Sequence, residues 1–231
     1  MREGQLHSPL SRFGKVFLVA GLTVQLVTYY LAPSSMLSLI SGMLGICSVV
    51  LCAEGQILTF LFGFAQISTY AYICYTEHLY GLLFMNAFYF LSQIYGIYVW
   101  RRRLNQNDVA HGSILTKHVL PRQLPGRVMA GIAVTALLVS LLTGWLLGRF
   151  TDDTQPYLDA FTTIPAIAAQ ILLVLAYREQ WFIWLFIDIL YVIMWARAGD
   201  WCLFAQHIFW CANCVYGWLN WKESREQKIV E

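Results

Sequence analysis

Residues 128–148 read VMAGIAVTALLVSLLTGWLLG, twenty-one residues without an ionisable side chain, framed by Arg127 and Arg149. At about 1.5 Å per residue, a helix of that length matches the roughly 30 Å hydrocarbon core of a bilayer. In lipid every backbone N–H and C=O must be satisfied within the segment, which a helix does. The stretch therefore reads as a membrane span, and its surroundings read the same way. Seven further apolar segments lie at about 16–32, 36–53, 56–76, 80–100, 158–176, 181–198 and 201–221.

The breaks between them are chemically sensible. Pro33-Ser34-Ser35, Glu54-Gly55, Glu77-His78, Arg101-Arg102-Arg103, Asp152-Asp153 with Pro156, Arg178-Glu179 and Gly199-Asp200 stand at the ends of successive spans. The composition agrees, with 58% apolar, 16% aromatic and only 12% charged residues among 231, and a mean hydropathy of +0.57. A soluble domain carries about 25% charged residues. The chain thus reads as an integral membrane protein and not as a soluble enzyme. No basic patch suited to nucleic acid interrupts it.

Charge distribution orients the spans. With the N-terminus in the cytoplasm, thirteen Lys and Arg residues fall inside, and only Arg149 and Arg197 fall outside. That asymmetry predicts cytoplasmic termini on both ends. The segment 101–127 becomes the one sizeable cytoplasmic loop. The first segment has the basic flank of a signal peptide, but its cleavage-like triplet runs into Pro33, and it is read as a retained helix.

A shift of 121 residues overlays two blocks, 36–100 and 157–221. Tyr95-Gly96 meets Tyr216-Gly217, Trp100 meets Trp221, Arg101 meets Lys222, Tyr89 meets Trp210 and Leu82 meets Leu203. Each block has three spans, so it begins and ends on opposite sides. The helix at 128–148 returns the chain, and both blocks cross in the same direction. The expected fold is all-α, with eight transmembrane helices in a SWEET-like 3+1+3 parallel repeat plus an extra N-terminal helix. The expected organisation is 1–35 (tail and first helix), 36–100 (first repeat), 101–157 (loop and linker helix), 158–221 (second repeat) and 222–231 (tail). Substrate in such a fold is expected near the midplane, between the repeats.

Polar side chains at membrane depth are costly and usually face the bundle interior. The fourth span carries Asn86, Tyr89, Gln93, Gly96 and Trp100 on one helical face; the third adds Gln66 and Tyr70. The eighth carries His207, Trp210, Cys214, Gly217 and Trp221 at matching spacing, with Asn213 beside them. The seventh carries Trp181, Trp184, Asp188, Tyr191 and Trp195. Trp100, Trp195 and Trp221 also suit an interfacial belt, and Gly96 and Gly217 suit close helix packing. Asn86, Gln93 and Asn213 fit either interhelical hydrogen bonds or ligand contacts. Asp188 lies at mid-span with no Lys or Arg at its depth. It must be protonated, wetted, hydrogen-bonded to neutral donors, or paired with a cationic ligand. Trp181 and Trp184 share its face, and indoles stack on flat heterocycles and attract cations. Rings, amides and one carboxylate point to a planar, cationic ring bearing hydroxyls.

The six cysteines lie in or beside apolar runs and read as buried free thiols. His207, Cys211 and Cys214 fall at i, i+4, i+7 and are weighed as a three-ligand metal set, but three ligands without a partner motif leave the expectation at no metal and no cofactor. An intramembrane enzyme is the competing class, and no catalytic residue is assigned.

The stretch from Asn86-Ala-Phe-Tyr-Phe-Leu-Ser-Gln93 to Trp100 resembles the bacterial nicotinamide riboside transporters of the Pnu vitamin transporter family. So does the stretch from Leu158-Asp-Ala-Phe through Glu179-Gln-Trp181-Phe-Ile-Trp184 to Tyr216-Gly-Trp-Leu-Asn-Trp221. The resemblance covers roughly residues 36–221 without the central loop. It implies facilitated uptake of nicotinamide riboside, an NAD precursor, across the bacterial inner membrane, with trapping by a cytoplasmic kinase. It also implies a homo-oligomer such as a trimer, embedded in lipid. The chain has no Walker-type phosphate loop, in keeping with transport that hydrolyses no ATP. Relatives carrying thiamine or riboflavin keep those vitamins open as alternatives; Asp188 and the tryptophan pair favour the cationic ligands. The residues expected at the substrate are Trp181, Trp184, Asp188, Gln93, Asn86, Tyr89, Asn213, Trp210, Tyr191 and His207.

Overall fold

The computed structural model describes residues 10–31, 35–76, 80–106, 118–152, 155–199 and 201–230. Among these are eight α-helices: α1 (Arg12–Leu31), α2 (Met36–Ala53), α3 (Leu58–Thr76), α4 (Tyr80–Gln106), α5 (Gly126–Phe150), α6 (Pro156–Val174), α7 (Gln180–Ala198) and α8 (Trp201–Val230). They coincide with the eight expected segments to within a few residues at most ends. The exceptions are α4 and α8, which run on past the apolar stretch. Arg101, Arg102 and Arg103 end the apolar run but not the helix, because Arg is a good helix former once outside lipid. Pro33-Ser34, Glu77-His78, Asp153 and Asp200 lie outside the described residues, as do 107–117 of the central loop.

Among the described residues five helices, α1, α2, α5, α6 and α7, are long and apolar enough by composition to cross a membrane. The sequence reading counted eight spans. The tyrosines of α3 and α4 and the polar residues of all three keep α3, α4 and α8 below that standard, with Gln66 and Tyr70 on α3, Asn86 and Gln93 on α4, and His207 and Asn213 on α8. On α5, Val134, Leu137, Leu138, Leu142 and Trp145 are exposed. An apolar surface of that extent suits lipid and not water.

Contacts divide the chain into a first unit reaching Leu120, with the tail from Glu223, and a second unit of Pro121–Lys222. In the first, α2 packs against α1 and α3, and α3 against α4. Ser35 caps α2 by accepting a hydrogen bond from the Ser38 N–H at 3.0 Å. Ser11 accepts from the Gly14 N–H and donates to Glu54 Oε1 at 2.6 Å, tying the start of α1 to the corner after α2. In the second unit α6 packs against α5 and α7. Pro156 opens α6, and Gly199, at φ 75°, closes α7 in the left-handed conformation.

The two units turn their corners alike. Gly55 (φ 69°) follows α2 and Ala176 (φ 56°) follows α6, the same positions under the shift of 121. The Gly55 N–H donates to Cys52 O at 2.9 Å, and the Ala176 N–H donates to Leu173 O at 2.9 Å. Val119 N–H caps the Gly55 carbonyl in the first unit; Arg122 N–H caps the Ala176 carbonyl in the second. Ring packing repeats as well. A Cβ on Gly96 would run into the Phe60 ring, and one on Gly217 would lie 2.5 Å from the Trp181 ring. Phe60 meets Trp100 edge-on at 4.9 Å, and Trp181 meets Trp221 edge-on at 5.6 Å. Trp100 and Trp221 are 0% and 1% exposed, so they are core residues and not an interfacial belt. A glycine notch one turn before each admits the partner ring, which outweighs the usual pull of indole to the interface.

Candidate functional site

Within the second unit, α7 and α8 bring a carboxylic acid, an imidazole, a thiol and two aromatic rings together. Asp188, mid-way along α7, is 6% exposed. Its Oδ1 lies 3.2 Å from Nδ1 of His207 on α8, within hydrogen-bonding distance. The Cys214 thiol, two turns further along α8, donates to Oδ2 at 3.6 Å. Tyr191 stacks on the His207 ring at 4.8 Å and 27°, and Trp210 meets that ring edge-on at 4.8 Å. The bonding capacity of Asp188 is thus met by two neutral-capable donors from the facing helix, one of the four solutions open to a lone mid-span carboxyl.

The tryptophan pair separates. Trp184 is half-buried against Ala166, Ala169, Leu172, Ile183 and Ile187 of the α6–α7 core. Trp181 is 4% exposed and wedged between Gly217 and Trp221. Asn213 is buried on α8, next to Cys214. At the start of α7, the Arg178 guanidinium lies over the Trp218 ring at 4.5 Å and 3.5 Å from Glu179 Oε1.

In the first unit the α4 face carries the remaining expected residues. Asn86 is buried, with Nδ2 3.8 Å from the Cys74 sulfur of α3. Gln93 lies against Gly63, where a Cβ would meet its amide nitrogen at 2.9 Å. Tyr89 is half-buried beside Phe88. Each amide thus has a neighbour on α3, as interhelical contact would give.

Periodicity had placed His207 and Cys214 on one face of α8, and the structure turns both onto Asp188. Among the described residues no three His, Cys, Asp or Glu side chains are disposed to hold a metal ion. The described cysteines, Cys47, Cys52, Cys74, Cys211 and Cys214, are not joined in disulfides. Two residues escaped the sequence reading. Cys214 stood on the same face of α8 as His207 and among the metal-ligand candidates, but was not expected at the substrate, although its spacing of seven from His207 already put it in reach of the same partner. Gln180, at the first position of α7, is 0% exposed, and neither polar atom of its side chain has a hydrogen-bond partner among the described residues.

Residues 35–223 match the family model described as nicotinamide mononucleotide transporter. The nicotinamide riboside transporter PnuC of Neisseria mucosa is 31% identical over 94% of this chain and 83% of its own length. Its namesake in Haemophilus influenzae is 30% identical over 90% and 89%. The crystal structure of the vitamin B3 transporter PnuC superposes with a TM-score of 0.76 at 29% identity, covering 94% of both chains.

Proposed function

Since the chain belongs to the nicotinamide mononucleotide transporter family, whose model spans residues 35–223, we propose that it carries nicotinamide riboside across the bacterial inner membrane. The observation that carries this reading to the chain's own residues is the Asp188 cluster. A carboxyl group is held at mid-helix by His207 and Cys214 beside the rings of Tyr191 and Trp210. A pyridinium riboside needs a flat ring partner, a counter-charge and hydrogen-bonding groups for its hydroxyls. Trp184, Tyr191 and Trp210 supply rings, Asp188 with His207 supplies the polar centre, and Asn213 an amide. Within the first unit, Asn86, Tyr89 and Gln93 of α4 offer a polar and aromatic set of their own. Trp181 shapes the site from behind by fixing α7 against Gly217.

The fold behind this function is a 3+1+3 repeat with α1 outside it, in which α2–α4 and α6–α8 are the copies and α5 the link. The matching corners at Gly55 and Ala176 and the matching glycine notches at Gly96 and Gly217 support it. Both termini are cytoplasmic, the protein works as a homo-oligomer, and net uptake is driven by phosphorylation of the arriving nucleoside by a cytoplasmic kinase. Purified protein in liposomes is the direct test. Labelled nicotinamide riboside should equilibrate without ATP and saturably. Preferential competition by thiamine or riboflavin would overturn the choice of substrate.

A further inference from the structure

We infer that Gln180 is a specificity-determining contact for the transported ligand, its side-chain amide pairing with the carboxamide of a nicotinamide ring. The inference rests on the substrate reading above and extends it to a residue outside that set. Gln180 is fully enclosed, and both Oε1 and Nε2 are without a hydrogen-bond partner among the described residues. Folded proteins retain few such groups, because an enclosed amide has given up water for nothing. Leucine would fill the same volume without that cost. A residue that breaks a local rule at a stability loss is expected where function needs it.

The corresponding corner of the first unit shows the ordinary solution. Under the shift of 121, Gln180 corresponds to Thr59. There Thr59 Oγ1 donates to Ser48 O at 2.8 Å, and Ser48 Oγ donates to Thr59 O at 2.9 Å. The residue corresponding to Ser48 is Ala169, fully buried and with no polar side-chain atom. The polar clasp of one corner is therefore absent from the other, and a longer, two-ended amide stands in its place.

Its position suits a ligand. Gln180, Trp184 and Tyr191 fall at i, i+4 and i+11 on one face of α7. A helical side chain leans over the turn before its own Cα, which for Trp184 is the turn that begins at Gln180. A ring held on Trp184 would bring a ring substituent toward that amide. A glutamine amide offers an acceptor and a donor side by side, and a primary carboxamide answers both at once. The thiazolium ring of thiamine carries no such group. Stacking and charge select a flat cation, and Gln180 selects which one.

The test uses purified wild type, Gln180→Leu and Gln180→Met. Dissociation constants are measured for nicotinamide riboside, for 3-acetylpyridine riboside, which keeps the carbonyl but lacks the N–H, and for pyridinium riboside, which lacks both. Wild type should prefer nicotinamide riboside over pyridinium riboside about tenfold or more, with the acetyl analogue between them. Both variants should bind pyridinium riboside as wild type does and lose the preference. Free of ligand, both should melt at a higher temperature than wild type, since an unmet amide has been replaced by an apolar side chain. Variants that keep the wild-type preference, or that weaken all three ribosides equally, overturn the inference while leaving the transporter reading intact. A wild type that binds none of the three overturns the substrate reading itself.

Discussion

Asp188 Oδ1 on α7 and His207 Nδ1 on α8 lie 3.2 Å apart, and the same carboxyl accepts from Cys214 through its other oxygen. This pairing sharpens what replacing Asp188 measures. Asparagine keeps an acceptor for the imidazole N–H but cannot carry charge. If an ionised Asp188 complements the ligand, Asp188→Asn should weaken nicotinamide riboside by about tenfold and leave its uncharged dihydro form nearly unaffected. Isothermal titration with both ligands decides it. Equal losses, or none, would assign Asp188 to joining α7 with α8.

Trp184 and Trp181 should behave differently when truncated. Trp184 is half-buried, and Trp184→Ala should cost roughly 0.5–2 kcal/mol of binding, up to about thirty-fold in affinity. Trp181→Ala removes a ring enclosed between Gly217 and Trp221, so its main effect should be a loss of stability of about 3–5 kcal/mol. Ligand titration beside thermal melting in detergent separates the two effects.

The glycine notches predict an overpacking cost. A Cβ at Gly217 would stand 2.5 Å from the Trp181 ring, closer than real Cβ atoms come to the atoms of residues packed against them. Gly217→Ala should destabilise by about 1–3 kcal/mol. Gly217→Ala combined with Trp181→Phe should recover part of that loss. A melting temperature unchanged in the single variant would show that the helices separate without penalty.

The corners predict opposite signs for two reciprocal substitutions. Ala176 holds φ 56°, where an L side chain is strained, and Ala176→Gly should stabilise by about 0.5–1 kcal/mol. Gly55 holds φ 69°, with Val119 O 3.2 Å from where a Cβ would stand, so Gly55→Ala should destabilise by more than that. Melting curves of the two variants check both.

Topology rests on the thirteen-to-two distribution of basic residues. A fluorescent reporter that folds only in the cytoplasm, fused after Glu231, should be bright. A bright periplasm-specific reporter at the same place would reverse the orientation.

Much of this protein is legible in its sequence because the bilayer simplifies the problem. Lipid enforces helices, and helices of bilayer length show as uncharged runs such as 128–148. The eight helices follow the eight apolar segments, and among the described residues five of them, α1, α2, α5, α6 and α7, are long and apolar enough to cross a membrane by that constraint. Periodicity then put Asp188 with Tyr191, and His207 with Cys214, on single faces of their helices. It could not say what each face meets. Only packing across helices joined Asp188 to His207 and Cys214, put the Trp181 ring into the notch at Gly217, and enclosed Trp100 and Trp221, which their span-end positions had assigned to the interface. Only packing left Gln180 sealed with its amide unmet, because burial depends on what neighbouring helices place around a residue and not on the residue itself. The sequence determines which groups each helix carries and on which side. Tertiary structure decides which of them find one another, since those contacts run between segments far apart in the chain.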